Sequence, residues 1–229
     1  MQDLIDGAKR WLFGKTNLAS RLASGECGGS YGDAVLVLSS IISGIAAELW
    51  PGEGFDRKRF VEVWVRYADP QLHANRVSLP LLVEALRKHD EGTAERARLL
   101  RPDCISDVPF LDTLVVTGNR VDVAASDVEA ALPDVSRATI RGQTYGSIFY
   151  RYFRSGYVHE YKAGSHGDEV VMSSTRGDIT YSNWDEPPYR RINFNAGWLT
   201  TVVESICEGA VKDYWEGAQA RPATWWLDG

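Results

Sequence analysis

The sequence has few cysteines and no excess of positive charge. Its three cysteines, Cys27, Cys104 and Cys207, are widely spaced and form no C-x-x-C pair. This pattern argues against a disulfide framework or a structural zinc site and predicts reduced thiols in a cytoplasmic protein. Lys and Arg together number 25 against 31 Asp and Glu, a formal net charge of −6. Bulk charge therefore cannot hold a polyanion, and any such partner needs a local basic patch.

Targeting and membrane-spanning segments are also absent from the sequence pattern. The first residues, MQDLIDGAKRWLFGK, mix acidic and basic residues into the apolar ones, which is not typical of a secretory signal. The longest apolar stretch, AVLVLSSIISGIAAELW (34–50), contains three serines and Glu48, so no membrane span is expected. No phosphate-binding glycine loop, metal triad or nucleophile elbow occurs, and we predict neither a metal nor a cofactor.

Apolar periodicity predicts a mainly α-helical fold with one or two small β-hairpins, in a single domain over residues 1–229. The predicted helices are 33–49, 57–68 with Asp56 as N-cap, 78–88, 93–100, a short one opened by the capping-box pattern SDVE (126–129), 134–160, and 195–216. One predicted hairpin is TLVVTGNRVDVA (113–124), which has Gly-Asn between β-branched runs. The other covers 169–184 and turns near 176–178.

The predicted helix 134–160 carries the densest chemistry. Treated as one regular helix, it puts its aromatic residues on a single apolar face. Its polar residues gather on one flank, with Arg154 just beyond that flank. Those on the flank are Arg137, Arg141, Arg151, Ser155 and His159. Five basic residues stand against one acidic residue between positions 136 and 162. A cationic strip with one residue that titrates near neutral pH suits a phosphodiester substrate.

The string FRSGYVHEY (153–161) resembles the signature of the HEPN superfamily, small α-helical domains found in prokaryotic and eukaryotic ribonucleases. The family motif is an arginine, usually a polar residue, three further residues and a histidine. Arg154 and His159 match its two ends, and Ser155 holds the polar position. The resemblance implies an HEPN-like helical bundle and a metal-independent endoribonuclease of a toxin-antitoxin or antiviral-defence system. It also implies an antitoxin or other regulatory protein as a further partner.

Arg154 and His159 are the expected catalytic residues, because RNA cleavage without metal needs a base, an acid and a cation for the phosphorane. One Arg and one His are too few for these roles, and HEPN domains typically dimerise through this helix, so we expect a homodimer. Five residues of regular helix separate the two side chains by about 140°. They converge only if the helix distorts at Gly156, if the long Arg154 side chain wraps around, or if the partner subunit completes the site. Arg137, Arg141, Arg151 and Lys162 are the expected RNA-binding residues, with Ser155 and Tyr161 in support.

Other interpretations of these residues stay open. Arg154 also fits an ordinary solvent-facing helical arginine, and His159 fits a residue favoured at a helix C-terminus by the dipole. Tyr161 completes R-x-x-x-x-H-x-Y, which resembles HEPN toxins whose tyrosine accepts AMP, but it also fits an aromatic residue packing at the helix end. The alternative function is a non-catalytic HEPN-like module that binds RNA, nucleotide or protein. The other three histidines are expected to be solvated.

Overall fold

A computed structural model describes residues 2–101, 115–168, 179–182 and 191–229. The first half of the chain, as far as it is described, is helical apart from one short strand. In chain order it contains α1 (Gln2–Ala23), α2 (Tyr31–Leu49), α3 (Asp56–Tyr67), β1 (Arg76–Val77), α4 (Leu79–Arg87) and α5 (Glu91–Arg98).

The second half alternates short strands with helices before the long last helix. It contains β2 (Val115–Thr117), α6 (Gly118–Val121), β3 (Val123–Ala124), α7 (Ala125–Ala131), α8 (Arg137–Arg141), α9 (Tyr145–Ile148), a π-helical segment (Phe149–Arg154), α10 (Ser155–Glu160), β4 (Ile179–Ser182), β5 (Arg191–Phe194) and α11 (Ala196–Glu216). We call the continuous helical run 145–160 the motif helix.

The described strands form two small antiparallel sheets. β1 pairs with β3, with Arg76 opposite Ala124. β4 is the central strand of the other sheet and lies between β2 and β5, with Val116 opposite Tyr181 and Ile179 opposite Phe194. Since the strands are short and the rest of the described chain is mostly helical, the predicted fold class, mainly α with small β additions, is confirmed.

The main core surrounds α2, which packs against α1, α3 and α11. Residues at helical spacing along α2, among them Val35, Leu38, Ile42 and Leu49, are at most 1% exposed. By length and composition alone α2 could cross a membrane, and about half of its apolar stretch is buried inside the protein. Its predicted span of 33–49 and the predicted C-terminal helix 195–216 both match the structure closely.

Aromatic rings connect this core to the motif helix. Phe149 packs against Trp64 of α3, stacks on Phe153, and meets Phe194 of β5 edge-on. All four rings are essentially buried. The motif helix is therefore anchored by its aromatic face, as the apolar pattern predicted, and its remaining faces are available for other roles.

A buried carboxylate joins several elements near this core. Asp122 is 1% exposed and accepts hydrogen bonds at Oδ2 from the hydroxyls of Tyr145 and Tyr181, both at 2.6 Å. Its Oδ1 accepts the backbone N–H of Leu79 at 3.1 Å, at the start of α4. Burial raises the pKa of Asp122 from 3.8 to about 7, with the hydrogen bonds opposing the shift. The group links α4, the motif helix and β4.

The predicted hairpin 113–124 is wrong. Residues 113 and 114 lie outside the described part, but Gly118 and Asn119 belong to helix α6 rather than to a tight turn. The two flanking strands belong to different sheets, because β2 pairs with β4 and β3 pairs with β1. Each strand pairs with a strand that is distant in sequence, which local turn chemistry does not reveal.

The remaining predictions of the second half are partly met. In the predicted hairpin 169–184, residues 169–178 and 183–184 lie outside the described residues, and 179–182 form β4, which pairs with 115–117 and 191–194. A short helix does lie at 126–129, but α7 begins at Ala125 and its N-cap, Ala124, makes no side-chain hydrogen bond. If Asp56 were the N-cap, α3 would begin at Arg57. Instead α3 begins at Asp56, and Phe55 is its N-cap.

Candidate active site

The helix predicted over 134–160 is interrupted between α8 and the motif helix. α8 ends at Arg141, and Thr144 forms a β-bridge with Val77. Next to it, the Gln143 carbonyl accepts the backbone N–H of Ser78 at 2.9 Å. These contacts with a segment more than 60 residues away draw the chain out of helical geometry. Because α8 and the motif helix are separate, Arg137 and Arg141 do not share a flank with His159.

The motif helix itself contains a π-helical segment directly before the motif. The backbone N–H of Ser155 and its hydroxyl both donate to the carbonyl of Tyr150, five residues earlier. Ser155 was expected to assist catalysis. In the structure its two hydrogen bonds stabilise the wide helical turn that ends at Arg154. The Tyr152 carbonyl accepts the N–H of Gly164 at 2.6 Å. π-helical segments like Phe149–Arg154 are frequent at functional sites.

Gly156 permits the segment after the helix to fold back against it. A Cβ at position 156 would lie closer than 3.0 Å to the Lys162 carbonyl oxygen and 3.0 Å from the Gly164 backbone nitrogen. Any side chain there would therefore collide with backbone. The glycine inside the motif string has a packing role, and it holds residues 162–164 beside Arg154 and Ser155.

The two arginines of the motif helix rest on tyrosine rings. The Arg154 guanidinium lies 5.1 Å from the centroid of Tyr150, and that of Arg151 lies 5.6 Å from the centroid of Tyr152. Arg151 also approaches the Gly142 carbonyl at 3.5 Å. Neither arginine has an ion pair with a carboxylate in the described part of the chain. Both charges are therefore available to an anionic ligand.

His159 lies in the last turn of α10 with its side chain exposed. It makes no hydrogen bond or ion pair with any described residue. Ser155–Glu160 is a regular α-helix, so Arg154 and His159 project about 140° apart. The π-turn precedes Arg154 and does not bring the two side chains onto one face. A single chain consequently does not place both side chains against one phosphate.

Tyr161 ends the helix in a left-handed conformation, with φ of 54°. Its hydroxyl donates to Asp33 of α2, and this hydrogen bond raises the pKa of the phenol. The ring is 59% exposed and meets Tyr157 edge-on. The capping box of α2 fixes the acceptor, because Ser30 and Asp33 bond each other reciprocally. Tyr161 therefore links the motif helix to α2 through its hydroxyl, while most of its side chain stays exposed.

The other predicted RNA-binding residues are engaged within the chain. Arg141 binds Glu129 through two nitrogens, at 2.6 and 3.1 Å, stacks on Trp226, and its side chain is 11% exposed. Arg137 lies 3.4 Å from Glu129, although its side chain is 63% exposed. Lys162 is exposed and pairs with Glu160 at 3.1 Å, a bond that solvent weakens. Because Arg141 is nearly buried and its guanidinium is bound to Glu129, it is not placed to bind RNA.

Sequence reasoning missed one cation at this site and misjudged one histidine. Arg57, in the first turn of α3, lies close enough to Arg151 for their charges to interact. Nothing local signals this, because 94 residues separate the two. His166 was expected to be solvated, but its side chain is 15% exposed and its ring meets Tyr152 edge-on. Within the described ranges, no three His, Cys, Asp or Glu side chains are grouped to hold a metal ion.

The chain matches no protein-family model, no curated protein and no solved structure. Functional inference accordingly depends on the residues and geometry described above and on the motif resemblance.

Proposed function

We propose that the chain is a metal-independent endoribonuclease of the HEPN type, in which Arg154 and His159 act on the scissile phosphate. The observation that carries the proposal is the combination, near the end of one helix, of a guanidinium without a carboxylate partner and an exposed imidazole. Arg141, by contrast, is bound to Glu129 at 2.6 Å, so its charge is balanced within the chain. The toxin or antiviral-defence setting is part of the same proposal.

The two residue types can perform each step of phosphodiester cleavage. An imidazole takes the proton of the ribose 2′-hydroxyl, whose oxygen then attacks phosphorus. The bond to the 5′-oxygen breaks, and that oxygen receives the proton from the imidazolium formed in the first step, so one histidine per site serves first as base and then as acid. The guanidinium offers paired donors to the charged phosphorane oxygens. The products are a 2′,3′-cyclic phosphate and a free 5′-hydroxyl.

We propose further that each site takes Arg154 from one subunit and His159 from the other. The separation of about 140° in one chain motivates this arrangement, since two facing motif helices can bring the groups together. Val158 and Tyr161, one residue before and two residues after His159, are 47% and 59% exposed. Exposed apolar side chains around the imidazole suit a contact between two copies.

The test is RNA cleavage by the purified chain in EDTA, with analysis of the product ends. The proposal expects 2′,3′-cyclic phosphate or 3′-phosphate ends, and cleavage that requires added Mg²⁺ or Mn²⁺ would contradict it. Mixing the Arg154→Ala and His159→Ala proteins tests the shared site. Random pairing should restore about a quarter of the parental rate, because half the dimers are mixed and each has one intact site. No recovery would contradict sharing between subunits.

A second candidate is a non-catalytic module that binds RNA, nucleotide or a protein partner. The separation of Arg154 from His159 within one chain favours it, because a site that only binds needs no convergence of the two groups. The two candidates differ in one outcome. A binding module retains RNA affinity that depends on Arg154 and produces no cut ends, with or without divalent metal.

A further inference from the structure

An arginine from another helix lies beside the motif helix without a counter-charge. The half-buried Arg57 of α3 faces Tyr150, Tyr152 and Arg151 of the motif helix. Its Nε atom is buried and has no hydrogen-bond partner among the described residues. Burial, and then the charge of Arg151, lower the pKa of this guanidinium, yet arginine stays protonated at neutral pH. Two positive groups therefore face each other across a partly desolvated space.

The acidic residues nearby do not balance this charge. Asp56, the neighbour of Arg57, is bound to Arg59 at 2.5 Å. Asp228, which lies at the same surface, is bound to Lys58 at 2.8 Å. Among the described residues Arg57 has no ion pair of its own. A buried N–H without an acceptor costs free energy, and so does a pair of like charges. An anion held between the two guanidinium groups would remove both costs.

The space beside Arg57 is large enough for such a ligand. An open cavity of about 460 Å³ lies at this surface, bordered by Arg57, Lys58 and Tyr150 and also by Asp56 and Asp228, the two carboxylates that pair with Arg59 and Lys58. That volume is within the range of small-molecule sites. Tyr150 forms part of the wall, and Arg154 lies over its ring. The cavity therefore borders Arg57 directly, and the Tyr150 ring in its wall is the ring on which the candidate catalytic arginine lies.

We propose that Arg57 and Arg151 together bind a phosphate group of an RNA strand, next to the phosphate that Arg154 contacts. The identification of the ligand as RNA rests on the proposed function, whereas the anion site rests on the geometry of Arg57 alone. A guanidinium fork matches phosphate oxygens in charge and shape, and Nε–H is one of its two directed donors. The exposed part of the Tyr150 ring offers a surface on which a base can stack.

Two measurements on the full chain test this site. In the first, inorganic phosphate is titrated into the parental protein, and the Nε–H resonances of the arginines are followed by NMR. The Arg57 signal should shift in a saturable way. In the second, affinity for a short 2′-O-methyl RNA is measured for the parental protein, Arg57→Gln and Arg57→Lys. Arg57→Gln should bind about 10-fold more weakly and lower the salt slope by about one. Arg57→Lys, which keeps the charge without the fork, should lie between.

Arg10→Gln is the matched control, because Arg10 is an exposed arginine of α1, outside this cluster, with no described ion pair. It should change the affinity by less than about 2-fold. The proposal would be overturned if Arg57→Gln and Arg10→Gln bound the RNA equally well. It would also be overturned if the Arg57 Nε–H resonance did not shift on addition of phosphate. A phosphate-dependent shift with unchanged RNA affinity would mean a site for free phosphate and would also overturn it. If Arg57→Gln fails to fold, the phosphate titration and Arg57→Lys still decide.

The two proposals fail in different ways. The 2′-O-methyl RNA cannot be cleaved through its 2′-oxygen, so its binding is independent of the nuclease reaction. Binding that depends on Arg57 in a protein that never cuts RNA would refute the nuclease and retain the phosphate site. If the protein cleaves RNA but its affinity for RNA does not depend on Arg57, only the phosphate site is refuted.

Discussion

The buried carboxylate Asp122 should make the stability of the protein fall as the pH rises towards neutrality. Its pKa is raised by burial from 3.8 in the unfolded chain to about 7 in the folded one. Below pH 3.8 both states are protonated, and the group imposes no penalty on folding. Between the two pKa values the unfolded state releases the proton first, so the free energy of unfolding decreases with pH. The perturbation that isolates the effect is Asp122→Asn.

The magnitude follows from the size of the shift. An interval from 3.8 to about 7 is about three pH units, and each unit corresponds to about 1.4 kcal/mol, so the full effect is about 4 kcal/mol. Between about pH 4.5 and about pH 7.5 it should reach about 3 kcal/mol. The exposed carboxylates with lowered pKa, such as Asp33 and Asp134, act in the opposite direction in both proteins and cancel in the difference.

The assay is urea unfolding of the parental protein and Asp122→Asn over this pH range. The parental free energy of unfolding minus that of the variant should fall as pH rises and level off above the folded pKa. A difference that is flat or rises with pH would refute the assignment of a protonated, buried Asp122. This pH window overlaps the range in which histidines titrate, so RNA cleavage rates should be corrected for the folded fraction before a pH profile is assigned to His159.

Two further predictions concern the motif helix. Gly156→Ala should lower the free energy of unfolding by about 1–3 kcal/mol in urea unfolding, because the added methyl group meets the Lys162 carbonyl. The control is Gly44→Ala in α2, where an added methyl group meets open space. It should raise the free energy of unfolding by up to about 1 kcal/mol. Equal effects of the two substitutions would contradict the packing role of Gly156. Val158→Glu should dissociate the proposed homodimer in sedimentation experiments and leave a folded monomer by circular dichroism, since Val158 is 47% exposed in the single chain. Dissociation by Trp11→Glu instead would place the contact on the exposed side of α1.

The spacing of apolar residues in the sequence correctly predicted the helices that bury one continuous apolar stripe. α2 and α11 were found within two residues of their ends, because each buries a continuous helical stripe. The aromatic face of the motif helix was found for the same reason. The all-helical interpretation of 134–160 failed at 142–144, where a bridge from Thr144 to Val77 overrides local propensity. The hairpin over 113–124 failed because its strands pair with residues far away in sequence.

The candidate site could be predicted only in part for a related reason. Arg154 and His159 were singled out by a short motif on one helix, and both have the unpaired character that the proposal needs. Counting charges along the same segment overestimated the basic strip, since it could not show that Glu129 of α7 neutralises Arg141. Arg57 was missed because its proximity to Arg151 comes from the packing of α3 against the motif helix.

The most direct test of the nuclease assignment is the rate of RNA cleavage by His159→Ala in EDTA, with His89→Ala as the matched exposed histidine. Both side chains are exposed, so both variants should keep the parental Tm. The account predicts that His159→Ala cuts RNA at least about 10²-fold more slowly, as expected on loss of an acid–base group, and that His89→Ala cuts at the parental rate. Cleavage by His159→Ala at the parental rate, with the fold intact, would contradict the catalytic role of His159.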